Sequence, residues 1–362
     1  MFVITSKLDF ILNDYICCNR IKVMKDYNNK NSMKLSEIGE FGIIEKIIAP
    51  NFNKLLGQKQ EGIGDDCAIM QLDDKQYQIV TTDLLIEGTH FIRDKISPFD
   101  LGFKSLAVNL SDIASMGGIP VATFLSVGFP SDLDVSWVDD FVKGYRNLSE
   151  KEAVPLMGGD TTKSSSQIVI NVAVIGRVEK DNVKRRSSAK IGDLICATNM
   201  LGDSAAGLRC VQNSILDAEY LIGKHNKPIP RVSEGRFLSQ YKEVHAMMDV
   251  SDGIFSDIHR IMKLSGVGAR IYCDKIPVSN ELISICKDNC WDINSFSVAG
   301  GEDYELLFTV DRDFFPILQK KYQDAFHTEL VAFGEIVQDK QKVMYFDGDE
   351  EIDIKSGFKH FK

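Results

Sequence analysis

The sequence predicts an α/β (α+β) protein of two domains. Segments with a helical spacing of apolar residues alternate with β-rich runs in both halves of the chain, and a polar, charged passage over 179–190 separates them. The 362 residues suffice for two cores, and the hydrophobic (44%) and charged (26%) fractions are typical of a globular protein. We expect an N-terminal domain over 33–178 and a C-terminal domain over 179–362. The Asn/Lys-rich extension over 1–32 is expected to be disordered.

In the N-terminal half, apolar residues at helical spacing predict a helix over 36–48, which Pro50 should end. A longer helix should begin after Ser97, because serine is a favourable N-cap and Pro98 suits the first helical position. This helix should end at Met116, before two glycines. The other elements predicted in this half are a helix over 135–153 and strands over 77–85, 121–127 and 167–178.

The alternation restarts in the C-terminal half. Helices are predicted over 203–211 and 253–264, and Ser251 or Asp252 would serve as the N-cap of the second helix. A loop should contain Pro228 and Pro230. Strands are predicted over 193–198, 246–250, 269–273 and 297–310.

Charge and cysteine content exclude several classes of protein. The net charge is −10 and there is no long Lys/Arg tract, which argues against nucleic acid or an anionic membrane as the main partner. The eight cysteines lack paired metal-type spacing, so reduced thiols in a cytosolic protein are expected. The sequence has no apolar run of transmembrane length and no signal-peptide pattern. We therefore expect a cytoplasmic location.

Carboxylates set between glycines and hydroxyl residues recur along the chain. Glycine lets the backbone approach a ligand closely, while Asp and Thr supply the hard oxygen atoms that divalent cations prefer. Such pieces predict a site for Mg²⁺ and, through it, for phosphate, which indicates an ATP-dependent enzyme. They lie at residues 62–66, 81–83, 109–112, 158–162 and 249–253, and glycines also stand beside acids at 300–305.

Most of these pieces also have a simpler structural explanation. Gly and Asp dominate tight turns, and residues 81–83 are equally explained as the polar end of an edge strand. His90 or Arg186, each taken alone, is better explained by structure or solvation. Asp112 is different, because a carboxylate on a small and apolar helical face is costly to bury without a partner. Asp160 follows two glycines at a predicted strand end, where α/β sheets usually contact ligands.

Other chemistries lack their motifs. No GxxxxGK[ST] element and no GxGxxG element followed by an acid is present, which excludes a standard P-loop NTPase or Rossmann dehydrogenase. No GxSxG element appears either. A metal-rich phosphate site with few proton-transfer groups suits phosphoryl transfer, in which catalysis is largely positioning and charge neutralisation.

Eight stretches, taken in order, resemble the thiamine-monophosphate kinase family of the aminoimidazole ribonucleotide synthetase-like superfamily. The resemblance runs from about Gly39 to the C-terminus and leaves residues 1–32 outside. The stretches are GEFGIIEKI (39–47), GIGDDCAIM (62–70), TTDLLIEGTHF (81–91), KSLAVNLSDIASMG (104–117), LMGGDTT (156–162), GDSAAGL (202–208), MDVSDGIFSDI (248–258) and AGGEDYELLFTV (299–310).

The resemblance implies ATP-dependent phosphorylation of thiamine monophosphate to thiamine diphosphate, with several Mg²⁺ ions and no acid or base residue. It implies a sheet-and-helix N-terminal domain that forms a homodimer, and a mixed-sheet C-terminal domain that completes the active site between the domains. The implied metal ligands are Asp66, Thr81, Thr82, Asp83, Asp112, Asp160, Asp249 and Asp252. ATP would meet Gly159, Asp160, Arg186 and Ser251, and thiamine would meet His90, Glu302 and Phe358. Phe358 stands where the family usually has Trp or Tyr.

Two other functions stay open at this point. One is a different ATP-using member of the superfamily, of the ribonucleotide cyclase or selenophosphate synthetase type. The other is a non-catalytic sensor that binds Mg²⁺ and ATP. The stretches TTDLLIEGTHF and AGGEDYELLF favour the kinase, and no reactive cysteine stands in a glycine-rich N-terminal loop.

Overall fold

The computed structural model describes residues 34–215, 217–339 and 342–354. The chain divides into two compact units after Leu55. The predicted extension over 1–32 and the predicted thiamine contact Phe358 lie outside the described residues.

The described part of the first unit is mostly helical, with a kink at Gly39, whose backbone (φ +66°) is not helical. Helix α1 spans Leu35–Ile43, a π-helical turn follows over Ile44–Ile48, and α2 spans Ala49–Phe52 before a short 3₁₀ turn, Asn53–Leu55. The prediction that Pro50 ends the helix is therefore wrong. Pro50 lies in the first turn of α2, where its missing N–H costs no hydrogen bond.

The second unit begins with a six-stranded sheet in the order β1-β2-β3-β6-β4-β5. Neighbouring strands are antiparallel except β4 and β5, which are parallel. The strands are β1 Gln60–Glu61, β2 Ala68–Gln71, β3 Gln76–Ile86, β4 Ile119–Phe129, β5 Leu156–Lys163 and β6 Val169–Glu179.

Helices α3 (Pro98–Ser115) and α4 (Val135–Lys151) accompany this sheet. The predicted start of α3 is confirmed, since the Ser97 hydroxyl accepts the Asp100 N–H at 3.0 Å. Glycines let the two helices touch backbone to backbone. A Cβ on Gly102 would lie 1.9 Å from the Phe141 carbonyl oxygen. Helix α3 is buried along nearly its whole length, which makes it the central element of the unit.

The second sheet is mixed, with β9 and β12 parallel, and has the order β13-β12-β9-β11-β7-β10-β8. Its strands are β7 Leu194–Ala197, β8 Val244–Asp249, β9 Gly268–Tyr272, β10 Leu306–Val310, β11 Val331–Val337, β12 Val343–Asp347 and β13 Glu350–Ile352. The accompanying helices are α5 Asp203–Gln212, α6 Glu219–Asn226, α7 Val232–Ser239, α8 Ile254–Ser265, α9 Asn280–Asn289, α10 Asn294–Ser297 and α11 Phe315–Phe326. Among the described helices, none is long and apolar enough to cross a bilayer.

The strand predicted over 297–310 is wrong in its first part, because only β10 is extended. Residues 298–305 form a loop in which Glu302 (φ +63°) and Tyr304 (φ +52°) are left-handed, a conformation incompatible with a strand. Gly301 lies against the 251–252 backbone, and a Cβ there would be 2.4 Å from the Ser251 carbonyl oxygen. Contact with residues 251–252 therefore fixes this glycine- and acid-containing segment as a loop, and the strand begins only at Leu306.

One hydrophobic core extends across both sheets. It includes Leu106 and Ala114 of α3 together with Met247 of β8 and Phe308 of β10. Along the chain, the passage over 179–190 follows the strands of the first sheet and precedes those of the second. The domain limits 33–178 and 179–362 stay a prediction.

Candidate active site

Helix α3 brings the predicted acidic residues together. The Asn109 side-chain oxygen accepts the Asp83 N–H at 3.0 Å, so this helix is fixed against β3. The Thr81 hydroxyl donates to Asp112 Oδ2 at 2.5 Å. Asn109 and Asp112, three residues apart, share the face of α3 that contacts β3.

The same helix also holds the acidic residues of two other segments. Ser111 donates its hydroxyl hydrogen to Asp249 Oδ2 at 2.7 Å, at the end of β8. Ser115 donates to Asp66 Oδ2 at 2.8 Å. Small hydroxyl residues at positions 111 and 115, one turn apart, thus anchor carboxylates that are remote in sequence.

Three carboxylates converge beside α3. Oxygen atoms of Asp66, Asp112 and Asp249 all lie within 4.8 Å of one another. At that separation two unit charges repel by about 3.5 kcal/mol at an effective dielectric constant of about 20. Burial and the charge of Asp66 raise the pKa of Asp249 to about 7. Burial, Asp83 and Asp249 raise the pKa of Asp112 well above its usual range. The cluster therefore requires positive charge to be fully ionised.

Arg186 supplies part of that charge. Its guanidinium pairs with Asp66, and its Nε lies 3.8 Å from Asp65 Oδ1. Burial and the charge of Asp66 raise the pKa of Asp65 to about 6, although Arg186 opposes the rise. The Arg186 Nε is buried without a hydrogen-bond partner among the described residues. One arginine cannot neutralise three carboxylates. The carboxylate and hydroxyl oxygens of the cluster are the ligands that Mg²⁺ prefers.

Asp252 has a separate partner. Its carboxylate pairs with Arg260, which also lies 3.0 Å from Asp257 Oδ1. The predicted N-cap at Ser251 or Asp252 is wrong, because Gly253 (φ +93°) occupies the cap of α8. Asp257, inside the helix, instead accepts the Asp252 N–H at 3.2 Å. Asp252 is adjacent to Ser251 but does not belong to the three-carboxylate cluster.

Three predicted site residues lie away from the cluster within this chain. Side chains alternate along β3, so Thr82 lies on the face opposite to Thr81 and Asp83, and its hydroxyl accepts from Asn171 at 2.9 Å. Asp160 lies within β5 and not at a strand end, contrary to expectation. It and Gly159 are exposed on the edge strand, three strands from β3, or about 14 Å.

Glu302, one of the residues predicted to contact the substrate, lies next to Ser251. The Glu302 N–H donates to the Ser251 carbonyl oxygen at 2.8 Å. Burial tends to raise the pKa of Glu302, but the charges of Lys104 and His90 hold it below the usual range. His90 Nδ1 accepts the Ile86 N–H at 3.0 Å, which orients its ring at the end of β3. Glu302 and His90 are therefore neighbours, as a shared ligand would require.

The other acids of the 300–305 loop have structural roles. Asp303 accepts the Gly202 N–H at 2.7 Å and the Ser204 N–H at 3.1 Å, at the start of α5. Glu305 pairs with Arg231 at 2.5 Å. Sequence reasoning did not identify Lys104 or Arg260. The only available signal for Lys104 was its spacing of seven residues from Ser111, which places both on one stripe of α3.

Comparisons with known proteins agree with this architecture. The family model described as AIR synthase related protein, N-terminal domain, matches residues 64–178, and the corresponding C-terminal domain model matches residues 190–338. The thiamine-monophosphate kinase of Buchnera aphidicola subsp. Acyrthosiphon pisum is 39% identical over 333 residues, covering 89% of this chain and 98% of that protein. The Bacillus subtilis thiamine-monophosphate kinase is 36% identical over 310 residues, covering 83% and 93%.

A solved structure of AaThiL complexed with AMPPCP and TMP is 32% identical, with a TM-score of 0.78, and the match covers 91% of this chain and 100% of that chain. The fold and the carboxylate site thus define a protein built from the two AIR synthase-related domains. The chain belongs to the thiamine-monophosphate kinase family. The family and the two-domain mixed α/β fold predicted from the sequence are confirmed.

Proposed function

We propose that this chain transfers the γ-phosphoryl group of ATP to thiamine monophosphate, giving ADP and thiamine diphosphate, as a step of thiamine diphosphate biosynthesis. Membership of the kinase family supports the reaction. The observation that carries it is the convergence of Asp66, Asp112 and Asp249 within 4.8 Å of one another, because such a cluster is suited to cations that bind phosphates. The 36–39% identity to thiamine-monophosphate kinases favours this reaction over those of other superfamily members with the same fold.

The proposed mechanism is direct in-line transfer. An oxygen of the acceptor phosphate forms a bond to the γ-phosphorus while the bond to the β–γ bridging oxygen breaks and ADP leaves. The acceptor is already ionised at pH 7, so no side chain acts as acid or base. A phosphorylated side chain trapped in a quenched reaction would contradict this mechanism.

The carboxylate cluster would hold several Mg²⁺ ions, with Thr81 and Asp83 beside it and Asp252 at its margin. When bound, Mg²⁺ neutralises the phosphate oxygens of donor and acceptor. Arg186 would exchange part of its pairing with Asp66 for the phosphates of ATP, and Ser251 would line the nucleotide. His90 and Glu302 would face the thiamine moiety, and Phe358 stays a prediction outside the described residues.

We further propose a cytoplasmic homodimer in which Gly159, Asp160 and Thr82 serve the site of the partner copy. Strand β5 is exposed at every residue, including the apolar Leu156 and Met157, and Phe124 beside it on β4 is exposed as well. Such an edge is suited to burial against a second copy. Asp160, Ser126, Asn171 and Leu84 form one row across the sheet, on the face opposite to Asp83.

A coupled ADP assay tests the reaction. The purified chain should form ADP only when ATP, Mg²⁺ and thiamine monophosphate are all present, and the product should be thiamine diphosphate. ADP formation without thiamine monophosphate would favour another reaction of the superfamily. Binding of ATP without turnover would favour a sensor.

Hybrid dimers test the role of Asp160 in the partner's site. Asp160→Asn and Asp249→Asn homodimers should each be inactive. Co-expressed variants should regain about one quarter of wild-type activity, because half of the dimers are hybrids and each hybrid has one intact site. The measurement is kcat of the unfractionated mixture, purified through a single tag that both variants carry. A mixture as inactive as its parents would show that Asp160 and Asp249 act in the same chain.

A further inference from the structure

A buried lysine stands behind the proposed thiamine site. Lys104, on α3, is 1% exposed, and such burial of a lysine requires an ionic or hydrogen-bonding partner. Its Nζ lies 3.1 Å from Glu302 Oε2 and donates to the His225 carbonyl oxygen at 3.0 Å. Neither of these two partners belongs to the carboxylate cluster. Its ionic partner is the acid that the family resemblance assigns to the thiamine end.

Glu302 is constrained on one side and open on the other. Its backbone is left-handed, which disfavours a non-glycine residue unless contacts hold it, and its N–H is bound to Ser251. Lys104 and His225 Nδ1 both contact Oε2, at 3.1 and 3.2 Å. The Glu302 side chain is still 27% exposed, and its two ion pairs use Oε2 and not Oε1.

The charge behind Glu302 comes from Lys104 and not from His225. Burial and the neighbouring ammonium group lower the pKa of His225 to about 3, so this imidazole is neutral at pH 7. Its ring lies 3.2 Å from the Ser204 hydroxyl, which fixes its orientation. Lys104 therefore compensates the Glu302 charge through its contact with Oε2.

We propose that Lys104 is a positioning residue for substrate recognition, which holds the Glu302 carboxylate ionised and directed at the cationic organic part of thiamine monophosphate. The proposal rests on the function proposed above. The thiazolium ring of thiamine is permanently positive, so an ionised carboxylate is its natural complement. Lys104 and Asp112 are eight residues apart on α3, or about 12 Å along its axis. One helix thereby sets both the phosphate end and the organic end of the site.

The test compares Lys104→Met with a matched change at another buried lysine. Lys184 is 5% exposed and donates to the carbonyl oxygens of Tyr241 and Val244, both at 2.7 Å, with no contact to Glu302. Lys104→Met should raise KM for thiamine monophosphate about tenfold or more and leave KM for ATP within about twofold. Lys184→Met should leave both KM values unchanged.

A double-mutant cycle shows whether Lys104 acts through Glu302. The variant Lys104→Met/Glu302→Gln should have the KM for thiamine monophosphate of Glu302→Gln alone. It also removes both charges, so it stays informative if Lys104→Met alone fails to fold. Additive effects, or equal losses for both substrates in Lys104→Met, would overturn the role of Lys104. A wild-type chain without ADP formation dependent on thiamine monophosphate would instead overturn the proposed function, and this proposal with it.

Discussion

Replacing Asp112 with asparagine is expected to abolish turnover and, in the same protein, to raise the thermal stability of the metal-free chain. Asp112 is one of three carboxylates within 4.8 Å, and its pKa is raised well above the usual range by burial, Asp83 and Asp249. Removing one charge relieves repulsion in the absence of metal but removes a ligand for the cations that bridge the phosphates. We expect kcat/KM to fall by at least about 1000-fold and Tm in EDTA to rise by about 2–6 °C.

Asp139→Asn is the matched control for this substitution. Asp139 is exposed on α4 and pairs with Lys143 at 2.7 Å on the surface, so neither activity nor Tm should change appreciably. A folded Asp112→Asn variant that keeps more than a tenth of its activity would remove Asp112 from the site. A fall in Tm would mean that the carboxylate stabilises the metal-free fold.

The carboxylates should make the stability of the metal-free protein depend on pH, and bound magnesium should abolish this dependence. The pKa is raised to about 7 for Asp249 and to about 6 for Asp83, in both cases first by burial and then by Asp66. A carboxyl group whose pKa is higher in the folded state binds its proton more tightly there. Its stabilising contribution is present below its ordinary pKa of 3.8 and is lost as the pH rises through 6 and 7.

In EDTA, Tm should therefore fall between pH 5 and pH 7.5, by about 5 °C or more. With millimolar Mg²⁺ the fall should disappear, because bound cations replace the protons. Thermal unfolding followed by circular dichroism at each pH, with and without Mg²⁺, is the measurement. Asp112→Asn should flatten the EDTA curve, whereas Asp139→Asn should follow the wild type. A metal-independent Tm across this range would argue against a cation site in the cluster.

Local signals explain why some elements were predictable from the sequence. The limits of α3 follow from Ser97-Pro98 at its start and two glycines at its end, and both are properties of neighbouring residues. Strand β5 gives no such signal, because residues 156–163 are polar and glycine-rich and become a strand only by pairing with β4. The segment 298–305 is the opposite case, because it adjoins the apolar run of β10 and yet forms a loop held by contact with Ser251.

The site residues likewise divide into those marked by a local motif and those placed by tertiary packing. Asp66, Asp112 and Asp249 stand in glycine- or hydroxyl-rich motifs, and they converge in the structure. Asp160 stands in an equally clear motif but lies on β5, the edge strand of the first sheet. A motif indicates which ligand a residue suits, but it does not show where the fold places that residue. Lys104 opens the stretch KSLAVNLSDIASMG and Arg260 lies just after MDVSDGIFSDI, but neither motif reveals its role, because the partner of each charge is set by tertiary packing.

The position of α3 restricts how this enzyme can admit its substrates. Consecutive residues of the helix bind strands of different sheets, Asp112 to β3 and Ser111 to β8. A hinge rotation that separated the two sheets would break the Ser111–Asp249 bond and expose the core around Leu106 and Ala114. The two sheets are therefore held as one unit by α3, and swapping one sheet for that of a distant relative would require a matching helix as well.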